Sequence, residues 1–145
     1  MDAKRRTTDL NIRKINLRSV SMNDDEKEEL EDFISDWHFD KKSHKFAQDI
    51  GIYIFQFIED LCKQGLKDKT VRKHIDNCWA IGMLECGYGY RKKFLPGDVF
   101  YSDKADYEYE YGRKFTDSDY ALKSYHSTWK KIYLYTKKLE LIEDE

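Results

Sequence analysis

The amino-acid sequence predicts a mainly α-helical domain, and two observations support this prediction. Apolar residues recur at steps of three and four through most of the chain, the spacing that lines side chains along one face of an α-helix. The segments with this spacing are long, and short polar or glycine-containing breaks separate them. We therefore expect a compact four-helix domain with an irregular, tyrosine-rich insertion before the last helix.

The centre of this prediction is a pair of helices that meet at Gly65. They are predicted over residues 43–64 and 68–86. Their apolar faces contain Phe46, Ile50, Ile54, Phe57 and Leu61 in the first helix and Val71, Ile75, Cys78, Trp79 and Gly82 in the second. Glycine tolerates the left-handed conformation that ends many helices, so Gly65 is expected to end the first helix and Asp68 to cap the second.

Two further helices are expected to flank this pair. One is predicted over residues 24–38, where acidic residues crowd the first turns and favour the positive end of a helix dipole. The other is predicted over residues 117–140, with Thr116 or Asp117 as its cap. The predicted core contains Phe33, Trp37, Phe46, Ile50, Ile54, Phe57, Leu61, Val71, Ile75, Trp79, Leu122, Trp129 and Ile132.

The tyrosine-rich insertion, residues 95–115, has a different pattern. Tyr107, Tyr109 and Tyr111 alternate strictly with Glu108 and Glu110. Strict alternation is typical of a half-buried strand, so residues 99–111 allow a small β-hairpin. Tyrosine is enriched at protein interfaces, and the insertion is therefore a candidate surface for a protein partner or a second copy of the chain.

Composition indicates a single domain at residues 23–145 that follows a basic N-terminal arm at residues 1–22. The chain has 145 residues, of which 37% are charged and 15% aromatic, with a formal net charge of −2. No apolar run approaches the roughly 20 residues of a membrane helix, and no secretory signal is expected. The three cysteines lack a Cys-x-x-Cys spacing, so we expect buried, reduced thiols in a cytoplasmic protein without a membrane partner.

Metal and catalytic chemistry find little support in the sequence. His74 and Cys78 lie four residues apart, and Cys62, Cys86 or His126 could complete a metal site, but structural zinc ligands usually come in paired short spacings that are missing here. The chain also has no nucleophile elbow and no glycine-rich phosphate loop. We expect no metal, no cofactor and no enzymatic activity.

The segment from Phe57 to Ile75 resembles the first helical hairpin of the core-binding, SAM-like domain of tyrosine recombinases, the phage integrases. In that family an aromatic-rich helix ends in Gly-Leu, here Gly65-Leu66, and a short turn leads to Lys-Thr, here Lys69-Thr70, before a basic helix. The segment Ser124 to Tyr135 is similar to a later helix of the same domain. The family usually has Ser at the position of Lys67, and its catalytic domain has no counterpart in this chain.

The resemblance implies a DNA-clamping module that does not cleave DNA strands. The residues that would contact the phosphates of duplex DNA are Lys67, Lys69, Thr70, Arg72, Lys73, Lys123, Lys130 and Lys131. Lysine, arginine and the free N–H groups at a helix N-terminus are all suitable phosphate ligands. Two other interpretations stay open: these cations form an ordinary solvated helix surface, or the chain is a protein-interaction or self-associating module.

Overall fold

A computed structural model describes residues 24–37, 41–89, 91–139 and 141 of the chain. These residues form six α-helices: α1 (Asp24–Trp37), α2 (Lys41–Cys62), α3 (Asp68–Tyr88), α4 (Pro96–Val99), α5 (Glu108–Lys114) and α6 (Asp119–Lys138). The prediction of a mainly α-helical fold is confirmed. The four long helices correspond to the four predicted ones, and two short helices, α4 and α5, add to that count. The basic arm at residues 1–22 lies outside the described residues.

Helix α3 is the centre of the fold, since it packs against α1, α2, α5 and α6. The junction of α1, α2 and α3 is filled by the fully buried Trp37. A Cβ atom built on Gly82 of α3 would lie 2.1 Å from Cζ2 of this indole, so only glycine lets α3 approach so closely. The indole Nε1 of Trp37 donates a hydrogen bond to the backbone oxygen of Trp79 (3.0 Å), which fixes the orientation of the ring.

Helix α2 and helix α6 enclose an aromatic core together with the residues around α4. Tyr53 lies within 6.1 Å, between ring centroids, of both Phe94 and Phe100, and Phe100 packs on Trp129 at 5.0 Å. The hydroxyl of Tyr53 also lies 2.6 Å from Oγ1 of Thr136, which donates to a backbone oxygen of its own helix. Thr136 therefore accepts from Tyr53, and this buried hydroxyl pair joins α2 to α6.

The ends of the long helices agree with the predictions in part. Gly65 adopts φ +76°, which confirms the left-handed stop after α2. Lys67, in extended conformation, is the N-cap residue of α3, whereas Asp68 is the first helical residue, so its predicted capping role is wrong. The cap of α6 is Ser118, whose Oγ accepts from the backbone N–H of Ala121, rather than Thr116 or Asp117.

The β-hairpin that the sequence allows at residues 99–111 is not formed there, because the alternating tyrosines begin a helix. Tyr107 precedes α5 with φ +61°, and Tyr111 packs in parallel on Tyr125 with 4.4 Å between ring centroids. Five alternating residues are too few to separate a strand from a short helix. Only Tyr111 of this helix is buried, whereas Tyr109 is 74% exposed.

The predicted buried face of α3 is also wrong in part. Nine of the thirteen predicted core residues are buried, but Val71, Ile75, Trp79 and Leu122 are only partly buried. Helix α3 is rotated from the predicted orientation, and its buried face contains His74, Asn77, Cys78, Ile81, Leu84 and Glu85. Cys62 is exposed, contrary to the expectation that all three thiols are buried.

Candidate nucleic-acid interface

The predicted phosphate-binding residues of α3 lie at its N-cap and in its first turns. Lys67, Lys69 and Arg72 are exposed, and Thr70 and Lys73 are partly buried. Arg72 already has two acidic partners, Glu29 of α1 at 3.0 Å and Asp76 at 3.2 Å. Its charge is thus compensated within the protein, so Arg72 contributes less to phosphate binding than the sequence suggests.

Helices α3 and α6 run antiparallel, because His74 contacts Thr128 whereas Asn77, one turn later, contacts Ser124. A groove of about 470 Å³ follows this helix pair and is lined by Lys69, Arg72, Lys73, Asp76, Asn77, Tyr111, Tyr120, Ala121 and Ser124. Tyr120 is 76% exposed, so its aromatic face is open to solvent. The groove thus combines cations with hydroxyl groups and one accessible ring.

Lys73 of α3 and Lys131 of α6 both lie close enough to His74 for their charges to act on its imidazole. Burial, and to a smaller extent the charges of Lys73 and Lys131, together lower the pKa of His74 to about 4. Lys69, Lys73 and Lys131 form no ion pair with another residue in the described ranges. The structure places Lys69 and Lys73 in the α3–α6 groove, whereas Lys131 lines a separate groove between α2 and α6, together with Asp60 and Lys138.

Lys123 and Lys130 lie elsewhere on α6. They are seven residues apart and share an exposed face of the helix. Lys123 immediately precedes Ser124, which lines the α3–α6 groove, and Lys130 immediately precedes Lys131, which lines the α2–α6 groove. Consecutive helical residues are about 100° apart around the axis. The predicted set is thus divided among the start of α3, the α2–α6 groove and the outer face of α6.

A buried polar network that the sequence analysis missed lies beneath the groove. Nδ1 of His74 lies 2.6 Å from Oγ1 of Thr128, and Nδ2 of Asn77 donates to Oγ1 of Thr128 and to Oγ of Ser124, both at 2.9 Å. His74 is 1% exposed and Asn77 8%. The sequence contained one signal for this network: His74 and Asn77 share a helical face with Ile81. A search for apolar residues at helical spacing does not detect a buried face that contains polar residues.

A second missed feature is a buried carboxyl pair at the other end of α3. Glu85 is 1% exposed, and its Oε2 has no hydrogen-bond partner within the described part of the chain. The Asp106 carboxyl lies within hydrogen-bonding distance of the Glu85 carboxyl. Burial, followed by the charge and hydrogen bond of Asp106, raises the pKa of Glu85 to about 9, although Arg91 acts in the opposite direction.

The surroundings of the carboxyl pair are tightly packed. A Cβ atom on Gly89 would lie 2.6 Å from Oη of Tyr107 and 2.8 Å from Oε1 of Glu85, so glycine permits their approach. Tyr125 donates a hydrogen bond from its hydroxyl to the backbone oxygen of Asp106. Helices α3 and α6 thus both hold the insertion at Asp106.

The insertion also lines an open groove of about 680 Å³ between α5 and α6, formed by Glu108, Tyr109, Gly112, Arg113, Thr116, Asp117 and Leu122. Tyr101 and Tyr109 are exposed, at 58% and 74%. This surface is the second candidate site, and its aromatic and apolar character suits a protein partner more than a nucleic acid.

Among the described residues, no group of three or more His, Cys, Asp or Glu side chains could hold a metal ion. His126, one of the ligands considered from sequence, instead lies 3.5 Å from a carboxylate oxygen of Glu108. Within the same residues, no helix has the length and apolar character required to cross a bilayer. Comparison of the chain with models of protein families, with curated proteins and with solved structures gives no significant match.

Proposed function

We propose that this chain is a non-catalytic helical module that binds duplex DNA along the junction of α3 and α6. The observation that carries the proposal is that Lys69 and Lys73, two cations without an acidic partner in the described ranges, line one groove, while Lys131 of α6 acts on the same buried His74 as Lys73. Lysines that neutralise phosphates release condensed counterions from DNA, which makes such binding favourable at low salt. Cytoplasmic location is part of this proposal and stays a prediction.

The negative net charge of −2 does not preclude this function, because binding depends on the local field. One acidic partner of Arg72, Glu29, lies on α1, and the other, Asp76, lines the same groove and is paired with Arg72. The pair between Lys138 and Asp60 (3.6 Å) lies toward α2. Lys69 and Lys73 of the α3–α6 groove therefore retain their charge for an anionic ligand. The hydroxyls of Ser124 and Tyr120 provide further donors along the same surface.

The proposal predicts that the triple variant Lys69→Ala/Lys73→Ala/Lys131→Ala loses DNA binding. Affinity for a duplex is measured by fluorescence anisotropy at 50 mM salt and at increasing salt. The slope of log affinity against log salt should fall by about 0.9 for each phosphate contact removed.

A matched control is Lys123→Ala/Lys130→Ala/Lys137→Ala, which removes the same charge from the exposed outer face of α6. We expect this control to bind within about threefold of the wild type, a difference below 1 kcal/mol. Equal losses in both variants would contradict the assignment of the groove. Absence of binding by the wild-type protein would refute the proposed function.

The second candidate function is protein interaction or self-association through the tyrosine-rich insertion. The exposed rings of Tyr101 and Tyr109 and the groove between α5 and α6 favour this alternative. Sedimentation of the wild type and of the double variant Tyr101→Ser/Tyr109→Ser shows whether the chain is a monomer or a dimer and whether these tyrosines hold the dimer together. A dimer that the double variant dissociates would support it, and a strict monomer over the whole concentration range would contradict it.

A further inference from the structure

The Glu85 and Asp106 carboxyl groups lie close together, and Glu85 is buried, so ionisation of both groups would be unfavourable. Two carboxylates are acceptors only, and they can form a mutual hydrogen bond only when one of them carries a proton. Oε2 of Glu85 is buried without a hydrogen-bond partner among the described residues. This is expected if its partner is the Asp106 carboxyl, because a hydrogen bond between the two groups forms only when one of them is protonated. An ionised Glu85 would instead be an uncompensated charge in the interior.

This pair is one of several contacts between α3 and the insertion, which also include the hydrogen bond from Arg113 to the Tyr88 hydroxyl (3.1 Å) and the packing of Phe115 on Trp79. Glu85 belongs to the central helix α3, and Asp106 belongs to the tyrosine-rich insertion. The next residue, Tyr107, has φ +61°, a conformation that costs a non-glycine residue free energy and persists only when the surroundings enforce it. The contacts that enforce it are the packing of the Tyr107 ring on Tyr88, at 5.6 Å between centroids, and the bonds to Asp106.

We propose that the Glu85–Asp106 pair is a proton-dependent latch that fastens the tyrosine-rich insertion to α3. In the closed latch one carboxyl donates its proton in a hydrogen bond to the other. Loss of that proton places two negative charges in contact, and separation of the insertion from α3 relieves their repulsion. Separation also relieves the strained backbone at Tyr107.

The groups that face Glu85 determine how the latch depends on pH. The helices and loops around it contribute Asp106, Arg91, Tyr107, Tyr125 and Cys86. Arg91 is the one cation of this set and favours ionisation, but it is exposed and its field is screened by water. Burial raises the pKa of the two phenols and of the thiol, so these three groups stay neutral near pH 7.

The direction of the effect follows from proton linkage. Glu85 has a pKa of about 9 in the closed latch and its usual value of 4.5 once exposed. The open form therefore holds fewer protons between these two values, and opening becomes more favourable by up to about tenfold per pH unit across that window. Above about pH 9 both forms are ionised and the dependence levels off.

Infrared spectroscopy of the whole protein tests whether the proton is present. The wild type should show the carbonyl stretch of a protonated carboxylic acid at pH 7, and the band should disappear as the pH rises through about 9. Glu85→Gln should lack this band at pH 7. A wild-type spectrum without the band at pH 7 would overturn the proposal, and this measurement does not require that any variant fold.

Amide hydrogen exchange tests whether the proton controls the insertion. The amide of Tyr111 donates to the backbone oxygen of Tyr107, and that of Phe115 donates to the backbone oxygen of Tyr111, so both amides report opening of α5. After correction for intrinsic base catalysis, their opening in the wild type should increase by up to about tenfold per pH unit between about pH 5 and 9. Amides in α2 serve as an internal reference for global unfolding.

Glu85→Gln is the decisive variant, because its amide can donate to Asp106 at every pH. We expect its insertion to open with no pH dependence beyond the intrinsic rate. Asp103→Asn removes an exposed carboxylate from the same insertion and should retain the wild-type dependence. A Glu85→Gln profile that parallels the wild type would overturn the latch, whether or not the protein binds DNA.

Discussion

Helices α2 and α3 are nearly equal in length, at 22 and 21 residues, but they bury faces of different chemistry. Helix α2 buries aromatic and aliphatic side chains, with the hydroxyl of Tyr53 as a polar group bonded to Thr136. Helix α3 buries His74, Asn77 and Glu85 beside its apolar residues. Apolar spacing therefore identifies the buried face of α2, whereas α3 is oriented by polar partners on α6 and the insertion.

The largest expected effect comes from the glycines through which both helices contact Trp37. A Cβ atom at Gly82 of α3 would lie 2.1 to 2.4 Å from the rigid indole, whereas one at Gly51 of α2 would lie 3.2 Å from flexible side chains. We expect Gly82→Ala to lower the free energy of unfolding by about 3 kcal/mol or more. Gly51→Ala should change it by less than about 1 kcal/mol, since the better helix propensity of alanine offsets mild crowding.

Chemical denaturation of the two glycine variants measures this difference. If Gly82→Ala proves as stable as Gly51→Ala, then α3 does not approach α1 as closely as the structure describes. Gly51→Ala is a well-matched control for Gly82→Ala, because both variants add one methyl group to a helix that contacts Trp37.

A smaller effect is expected from His74, which is buried in its neutral form. Its pKa in the folded protein is about 4, below the usual 6.5, so the unfolded chain binds the proton more readily. Stability should therefore be lost as the pH falls from 6.5 toward 4, by up to about 3 kcal/mol from this residue. His74→Gln, which cannot titrate, should lack that part of the loss.

The measurement for His74 is urea denaturation of the wild type and His74→Gln at several pH values from 7 to 4. The informative quantity is the difference between the two proteins, because carboxylates common to both cancel. A constant difference across this range would show that His74 is not held neutral by its surroundings.

The smallest expected effect concerns the polar contact of α2. In Tyr53→Phe the hydroxyl of Thr136 keeps its bond to Ile132, so no buried group loses its only partner and the cost should be about 1 kcal/mol. In Thr136→Val the phenol of Tyr53 stays buried without this partner, and we expect a larger loss of about 1–3 kcal/mol. Thermal unfolding of both variants checks the order, and the reverse order would contradict the assigned donor and acceptor roles.

The sequence predicts those parts of the fold that depend on one local rule, such as apolar spacing or the backbone freedom of glycine. Apolar spacing locates the four long helices to within about two residues, a usual uncertainty for helix ends. Gly65 marks its turn because few other residues tolerate φ +76°. The insertion could not be predicted, because its course depends on tertiary contacts of Asp106, Tyr107 and Tyr111 rather than on local preference.

The candidate site was predictable only in its components. The basic residues could be named from sequence, but Arg72 has its partner Glu29 on another helix, 43 positions away. The separation of Lys131 from the outer-face lysines Lys123 and Lys130 depends on how α6 is rotated against α2 and α3. The Glu85–Asp106 pair gave no sequence signal, since acidic residues 21 positions apart are normally exposed and independent.

The most direct test of the contrast between the two helices is the stability of Glu85→Gln relative to the wild type as a function of pH. Because the folded protein keeps Glu85 protonated up to about pH 9, ionisation of the unfolded chain destabilises the wild type but not the variant. We predict that the variant gains up to about 1.4 kcal/mol of relative stability per pH unit between about pH 5 and 8. A difference that is independent of pH would contradict the conclusion that α3 buries a neutral acid.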